Sequence, residues 1–200
     1  MDKPYVLLDI DGVILNWDFG IDNYIKSHVP DHMQPEFVDE HAYDLSDRYG
    51  FGLEEANQVV WDFHTHESFA EIPALPGVSE ALAKLVNDYD LVAITACGSD
   101  DLIAQYREQN LHSLFPHMFK KIICTNSGLA KRQHLALFPP SYWVEDHTKN
   151  AHMGLEFGHS CFLVDAPYNR ADVLDQVMRV RDLPAVAEII LSPTHSRVCC

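Results

Sequence analysis

Five short apolar stretches, alternating with helix-like ones, constrain the fold of this chain more than any other feature. They are YVLLDI (5–10), LVAITA (91–96), KIICTN (121–126), YWVED (142–146) and CFLVD (161–165). Each is a continuous run of Val, Ile, Leu or aromatic residues rather than an apolar–polar alternation, the pattern of strands covered on both faces. GVSEALAKLVND (77–88) places Val78, Ala81, Leu82 and Leu85 at helical spacing after Pro76. SDDLIAQYREQN (99–110) offers Ser99 as an N-cap with two acids in the first turn, which suits the helix dipole. GLAKRQHLALF (128–138) is stopped by Pro139-Pro140, and NAHMGLEF (150–157) lies between the fourth and fifth apolar runs. Strand alternating with helix predicts an α/β, doubly wound parallel five-stranded sheet.

Residues 16–75 break this rhythm. They are helix-leaning, aromatic-rich and polar, and too long for an ordinary crossover loop. The expected organisation is a core of residues 1–15 and 76–192, a small α-helical cap of residues 16–75 inserted after strand 1, and a flexible tail at 193–200. At 200 residues the chain suits one core domain with such an insertion. With 47% hydrophobic residues it can bury a real core, and a net charge of −16 argues against binding duplex nucleic acid or an anionic membrane. Cys97, Cys124 and Cys161 lie in or beside strand-like runs and read as buried free thiols of a reducing compartment, whereas Cys199 and Cys200 close the tail. No signal pattern opens the chain and no apolar run reaches membrane-spanning length, so the expected location is cytoplasmic.

The first apolar run ends in two acids one residue apart, Asp9 and Asp11, followed by Gly12. Asp-Gly between apolar runs is also a hairpin signal, with both acids solvated at the tip. In a doubly wound sheet, by contrast, they stand at the carboxyl end of a buried strand, where ligands bind. The other strands deliver matching groups to that edge: Thr95 ends the second, Lys131 and Arg132 follow the third, and Glu145-Asp146 end the fourth. Asp9, Asp146 and a backbone carbonyl near Asp11 are hard oxygen ligands suited to Mg²⁺, which would relieve the repulsion between the acids. The Thr95 hydroxyl, the N–H of Ala96 and Lys131 would hold phosphoryl oxygens, with Lys131 preferred over Arg132, Lys120 and Lys121. Glu145 is expected in the outer shell of the metal, and Asn150 either orients the loop or caps the next helix.

These motifs, DIDGV, AITA, the lysine of GLAKRQHL and VEDHTKN, resemble in order and spacing the haloacid dehalogenase superfamily of phosphotransferases, over nearly the whole chain. The resemblance implies that Asp9 is a nucleophile forming an aspartyl phosphate, and that Asp11 protonates the leaving oxygen and then activates water. It implies a metal set of Asp9, Asp11 and Asp146. An acid at position 11 argues against the carbon–halogen branch. A carboxylate nucleophile with a second carboxylate for the proton agrees with general chemistry.

The insertion resembles the 5'(3')-deoxyribonucleotidases in DIDGVILNW, YDLSDRYG (43–50), VVWDFHTHESFAEIPALPGVSEAL (59–82) and DAPYNR (165–170). By that resemblance Trp17 stacks on a nucleobase, Trp61 lines the pocket, and Tyr43 is a further substrate contact. Asp44 departs from the pattern by standing where an aromatic is sometimes found. Phe63 and Phe69 read as the cap's own core. The histidines of HTH (64–66), with His28, His32 and His41, have no acid or thiol partners at zinc-like spacing. The expected activity is Mg²⁺-dependent hydrolysis of a small phosphorylated metabolite, a nucleoside monophosphate first of all, with a homodimer left open. Alternatives are a phosphatase or phosphomutase acting on a sugar phosphate, and a non-catalytic phospho-binding relative.

Overall fold

β1 (Tyr5–Leu8) lies at the middle of a six-stranded sheet of order β3-β2-β1-β4-β5-β6, and every neighbouring pair is parallel. The computed structural model describes residues 3–29, 37–39 and 41–192, so His32 and the expected tail with Cys199 and Cys200 lie outside the described residues. The other strands are β2 (Asp90–Thr95), β3 (Phe119–Cys124), β4 (Tyr142–Glu145), β5 (Ser160–Val164) and β6 (Met178–Val180). The sheet therefore has six strands where five are expected. The additional one, β6, is a three-residue edge strand whose central Arg179 breaks any apolar run. At the opposite edge, β3 exposes Lys120 and Lys121 instead of being covered throughout.

Side chains alternate across the sheet as the pleat requires, and both faces are buried. Val6 and Leu8 of β1, Leu91 and Ala93 of β2, and Tyr142 and Val144 of β4 face one apolar layer. Leu7, Val92, Ile94 and Trp143 face the other. The first layer is closed by α4 (Val78–Leu85), α5 (Asp101–Leu114) and α8 (Leu183–Leu191), the second by α6 (Gly128–Leu135) and α7 (Thr148–Leu155). Asp100, not Ser99, caps α5, its side chain accepting from the Leu102 N–H, while Ser99 donates instead to Asn126. Asn150 lies inside the first turn of α7 and does not cap it.

Between β1 and α4 come α1 (Trp17–His28), α2 (Leu45–Tyr49), α3 (Leu53–His64) and a 3₁₀ turn (Glu67–Glu71). The chain leaves and re-enters the sheet at adjacent points, with Asn16 N–H donating to Pro73 O and Leu75 N–H to Ile14 O. The 3₁₀ turn seats on α5, where Asn110 Nδ2 donates to Ile72 O at 3.0 Å. Phe63 and Phe69 are fully buried core. Cys97 and Cys161 are buried free thiols, and Cys124 is a partly buried one. Among the described residues no helix is long and apolar enough to cross a membrane.

Candidate active site

The chain runs β1–β2–β3 to one side of the sheet and β4–β5–β6 to the other, so its direction switches between β1 and β4. Ligands bind at the carboxyl ends of strands flanking such a switch. Asp9 extends β1 by donating its N–H to Val144 O, after which residues 10–15 fold into a tight turn on Ile10 O. The two acids are therefore not a hairpin tip. Asp146 follows β4 directly, and its backbone oxygen accepts from Asn169 Nδ2 at 2.7 Å.

Asp9, Glu145 and Asp146 are buried and can each offer an oxygen, the three lying within 4.8 Å of one another. Lys131 faces this cluster, its ammonium 2.8 Å from Asp9 and 2.6 Å from Glu145. One cation against three carboxylates leaves the cluster short of positive charge. Burial first, and then repulsion by Glu145, pushes the Asp9 carboxyl up to about 8, against the pull of Lys131. Burial, with Glu145 and Asp9 beside it, likewise raises Asp146. Glu145 goes the other way: burial would raise it, but Lys131 first, and then the His147 N–H and the Asp146 side chain, bring it down. Burial would also lower Lys131, yet its two carboxylate partners raise it overall.

This oxygen set and its charge deficit fit a hard divalent cation such as Mg²⁺. Glu145, expected as an outer-shell residue, sits within the cluster, but its Oε1 holds Lys131 and its Oε2 accepts two backbone N–H groups. Its placement makes it the anchor of Lys131 and of the β4–α7 turn. Asp11, expected in the metal set, stands outside the cluster. Both its oxygens accept from Nη2 of Arg107, at 2.7 and 2.8 Å, and Thr95 Oγ1 lies 3.5 Å from Oδ2.

These groups open into a cavity of about 490 Å³ whose floor includes Asp9, Asp11, Thr95, Ala96, Lys131 and Asp146. Trp17, Leu45, Leu53, Ala56, Asn57 and Val60 line the cap side. Tyr43 also lines the cavity, its ring edge-on to Tyr168 and His147. Trp61 does not join it. α3 turns Ala56, Val60 and His64 inward, and Trp61, about 100° further round the helix, is 51% exposed.

Three residues escaped the sequence reading. Arg107 is fully buried on α5; its signal is a cation midway between Ile103 and Leu111, four residues from each on the core-facing side. His64 accepts the indole N–H of Trp17 at Nε2, 3.1 Å away, and its Nδ1 faces Cys97 O at 2.8 Å. Because indole only donates, Nε2 is the acceptor and Nδ1 carries the proton. Burial, and then Arg107, pushes this imidazole down to about 3. Tyr168, in DAPYNR, donates its hydroxyl to Asp146.

No family model matches the chain. It is 26% identical over 133 residues to an uncharacterized 32.4 kDa protein of the Gp30-rIII intergenic region of Enterobacteria phage T4. That match covers 66% of this chain and 48% of the phage protein, so the chain spans about half the length of that relative. The fold is similar to that of several solved haloacid dehalogenase-like proteins. Superposition on the haloacid dehalogenase-like protein SP0104 of Streptococcus pneumoniae covers 94% of this chain and 98% of that one, with a TM-score of 0.68 at 15% identity. YfnB of Bacillus subtilis, a putative HAD-hydrolase solved with magnesium, gives 0.65 at 14% identity over 95% and 99%. CbbY of Rhodobacter sphaeroides in complex with xylulose-(1,5)bisphosphate gives 0.61 at 13% over 91% and 95%. At these identities the likeness is one of fold.

Proposed function

We propose that this chain is a Mg²⁺-dependent phosphomonoester hydrolase that works through an aspartyl phosphate on Asp9, with deoxyribonucleoside monophosphates as its substrates. The observation that carries this reading is the convergence of Asp9, Asp146 and Lys131 on the floor of a cavity whose cap side presents Trp17, Leu45, Leu53 and Val60 beside the polar Asp44, Ser46 and Asn57. Asp9 and Asp146 would hold the ion, with Glu145 keeping Lys131 in place. When bound, the ion would screen the phosphoryl oxygens and let Asp9 act as an anion despite its burial.

In the first step a carboxylate oxygen of Asp9 attacks phosphorus, the bond to the leaving oxygen breaks, and Asp11 supplies that oxygen with a proton. In the second, Asp11 takes a proton from water, the water oxygen attacks phosphorus, and Asp9 is released with inorganic phosphate. Thr95, the Ala96 N–H and Lys131 are the groups available to the phosphoryl oxygens. An aromatic face beside an apolar wall suits a flat base. Lys131 is the sole Lys or Arg among the described residues lining the cavity, which favours a substrate with one phosphate over a bisphosphate.

Turnover of a panel of nucleoside monophosphates, sugar phosphates and sugar bisphosphates with Mg²⁺ tests this. Thymidylate and deoxyuridylate are expected to lead. Hydrolysis of a sugar phosphate with both nucleotides untouched would replace the nucleotidase reading with a sugar-phosphate one. The CbbY superposition motivates that second reading.

A further inference from the structure

We infer that Arg107 is the positioning residue for the proton-transferring carboxylate, Asp11, an inference that rests on the phosphatase reading above. The guanidinium is fully buried and approaches the carboxylate end-on, one nitrogen, Nη2, reaching both oxygens at 2.7 and 2.8 Å. Its Nε and Nη1 are buried without a hydrogen-bond partner. The strong hydrogen bonds of this cation go to Asp11, with the Cys97 thiol as its other polar neighbour. The ring of Phe69, from the 3₁₀ turn of the cap, lies 4.2 Å from the guanidinium carbon and covers it.

A buried arginine with two nitrogens lacking an acceptor is a poor stabilising device, since an apolar side chain between Ile103 and Leu111 would pack at less cost. What it provides is orientation. Asp11 has two rotatable bonds and its side chain is 25% exposed to the cavity. Bridging both oxygens along their shared edge fixes the plane of the carboxylate and leaves the outward lone pair of each oxygen for proton transfer. Lys131 and Asp9 keep their own partners, so Arg107 acts on the proton-handling carboxylate and not on the nucleophile.

Formation of the aspartyl phosphate must therefore depend on Arg107 for leaving groups that need a proton and be indifferent to it for those that do not, whereas hydrolysis of the intermediate, in which Asp11 activates water, is common to both. Arg107→Met is expected to lower the single-turnover rate of leaving-group release from an alkyl phosphate, such as a nucleoside 5'-monophosphate, by about 10- to 100-fold, part of the roughly 10²- to 10⁴-fold that general acid catalysis supplies. On 4-nitrophenyl phosphate, whose leaving group departs without a proton, the loss in the same single-turnover release rate is expected to stay below about threefold, and the half-saturating concentration of both esters is expected to hold. In an Asp11→Asn background the alkyl-specific loss should vanish. Arg107→Lys keeps a cation in the core, and it carries the same comparison if the methionine variant does not fold; it should restore part of the alkyl rate. Equal losses on the two esters, or a loss that persists with Asp11→Asn, would reduce Arg107 to a structural ion pair. Failure of the unaltered protein to hydrolyse either ester would instead overturn the phosphatase reading.

Discussion

Gly12 lies so close against Asp146 that a β-carbon at position 12 would overlap the carboxylate oxygen Oδ2. The residue also has φ of +78°, a conformation that costs a side chain about 1 kcal/mol or more. The glycine of DIDGV is thus required by its neighbour on β4 as well as by its own turn. Gly12→Ala is expected to destabilise the protein by about 1–3 kcal/mol and to weaken Mg²⁺ binding by displacing Asp146. Chemical denaturation with and without Mg²⁺ checks both.

The acidic cluster makes a prediction of opposite sign. Asp146 is raised by burial and by Glu145 and Asp9, so ionising it opposes folding in the absence of a cation. Asp146→Asn keeps the shape and an acceptor for Tyr168. In EDTA near neutral pH it is expected to raise stability by about 1 kcal/mol, while abolishing the rise in Tm that Mg²⁺ confers on the unaltered protein. Thermal melts of both proteins with EDTA and with Mg²⁺ read the two effects together.

His64 sets a pH dependence. Its imidazole is held down to about 3, against an ordinary value of 6.5, because protonation would occur in a buried site near Arg107. Between these values the unfolded chain binds a proton that the folded one refuses, so stability rises with pH across that window. The contribution is complete above about pH 6.5 and falls by up to about 1.4 kcal/mol per unit on acidification. The unfolding free energy of the parent minus that of His64→Gln should shrink steadily from pH 6.5 to 4. A difference independent of pH would contradict the lowered pKa of the His64 imidazole.

Trp17 tests the substrate end of the cavity. Its indole is fixed by His64 and lies at the mouth of the aspartate turn. Trp17→Leu is expected to raise KM for a nucleoside monophosphate about tenfold, the worth of about 1–3 kcal/mol of base stacking, with kcat on 4-nitrophenyl phosphate unchanged. Steady-state kinetics on the two substrates separates recognition from chemistry.

Much of this architecture is legible in the sequence because buried parallel strands write themselves as unbroken apolar runs. β1 and β4 fall inside such runs, β2 and β5 begin one residue before theirs, and the polar groups at the strand ends follow from the topology. β6 has no such signature: it is three residues long and carries Arg179, whose side chain bonds to Asp165 and Asn169. Arg107 is hidden for a related reason. A charged residue on a helix reads as solvated surface until the structure supplies Asp11 as its buried partner. Trp61 shows the converse, since a tryptophan on a cap helix invites a role in the cavity, and only the packing of α3 reveals that the helix turns His64 inward instead. His64 itself stands in HTH, where a search for metal ligands sees nothing, because its partners are an indole N–H and a carbonyl.

In the proposed mechanism Asp9 carries the phosphoryl group as an aspartyl phosphate. The most direct test is to mix the protein with Mg²⁺ and a hydrolysed phosphomonoester, denature it during turnover, reduce with borohydride, and sequence the peptide containing residue 9 by mass spectrometry. An aspartyl phosphate is reduced to homoserine whereas a free carboxylate is not, so substrate-dependent homoserine at position 9 is the predicted result. Release of phosphate with Asp9 unmodified, and undiminished in Asp9→Asn, would contradict it.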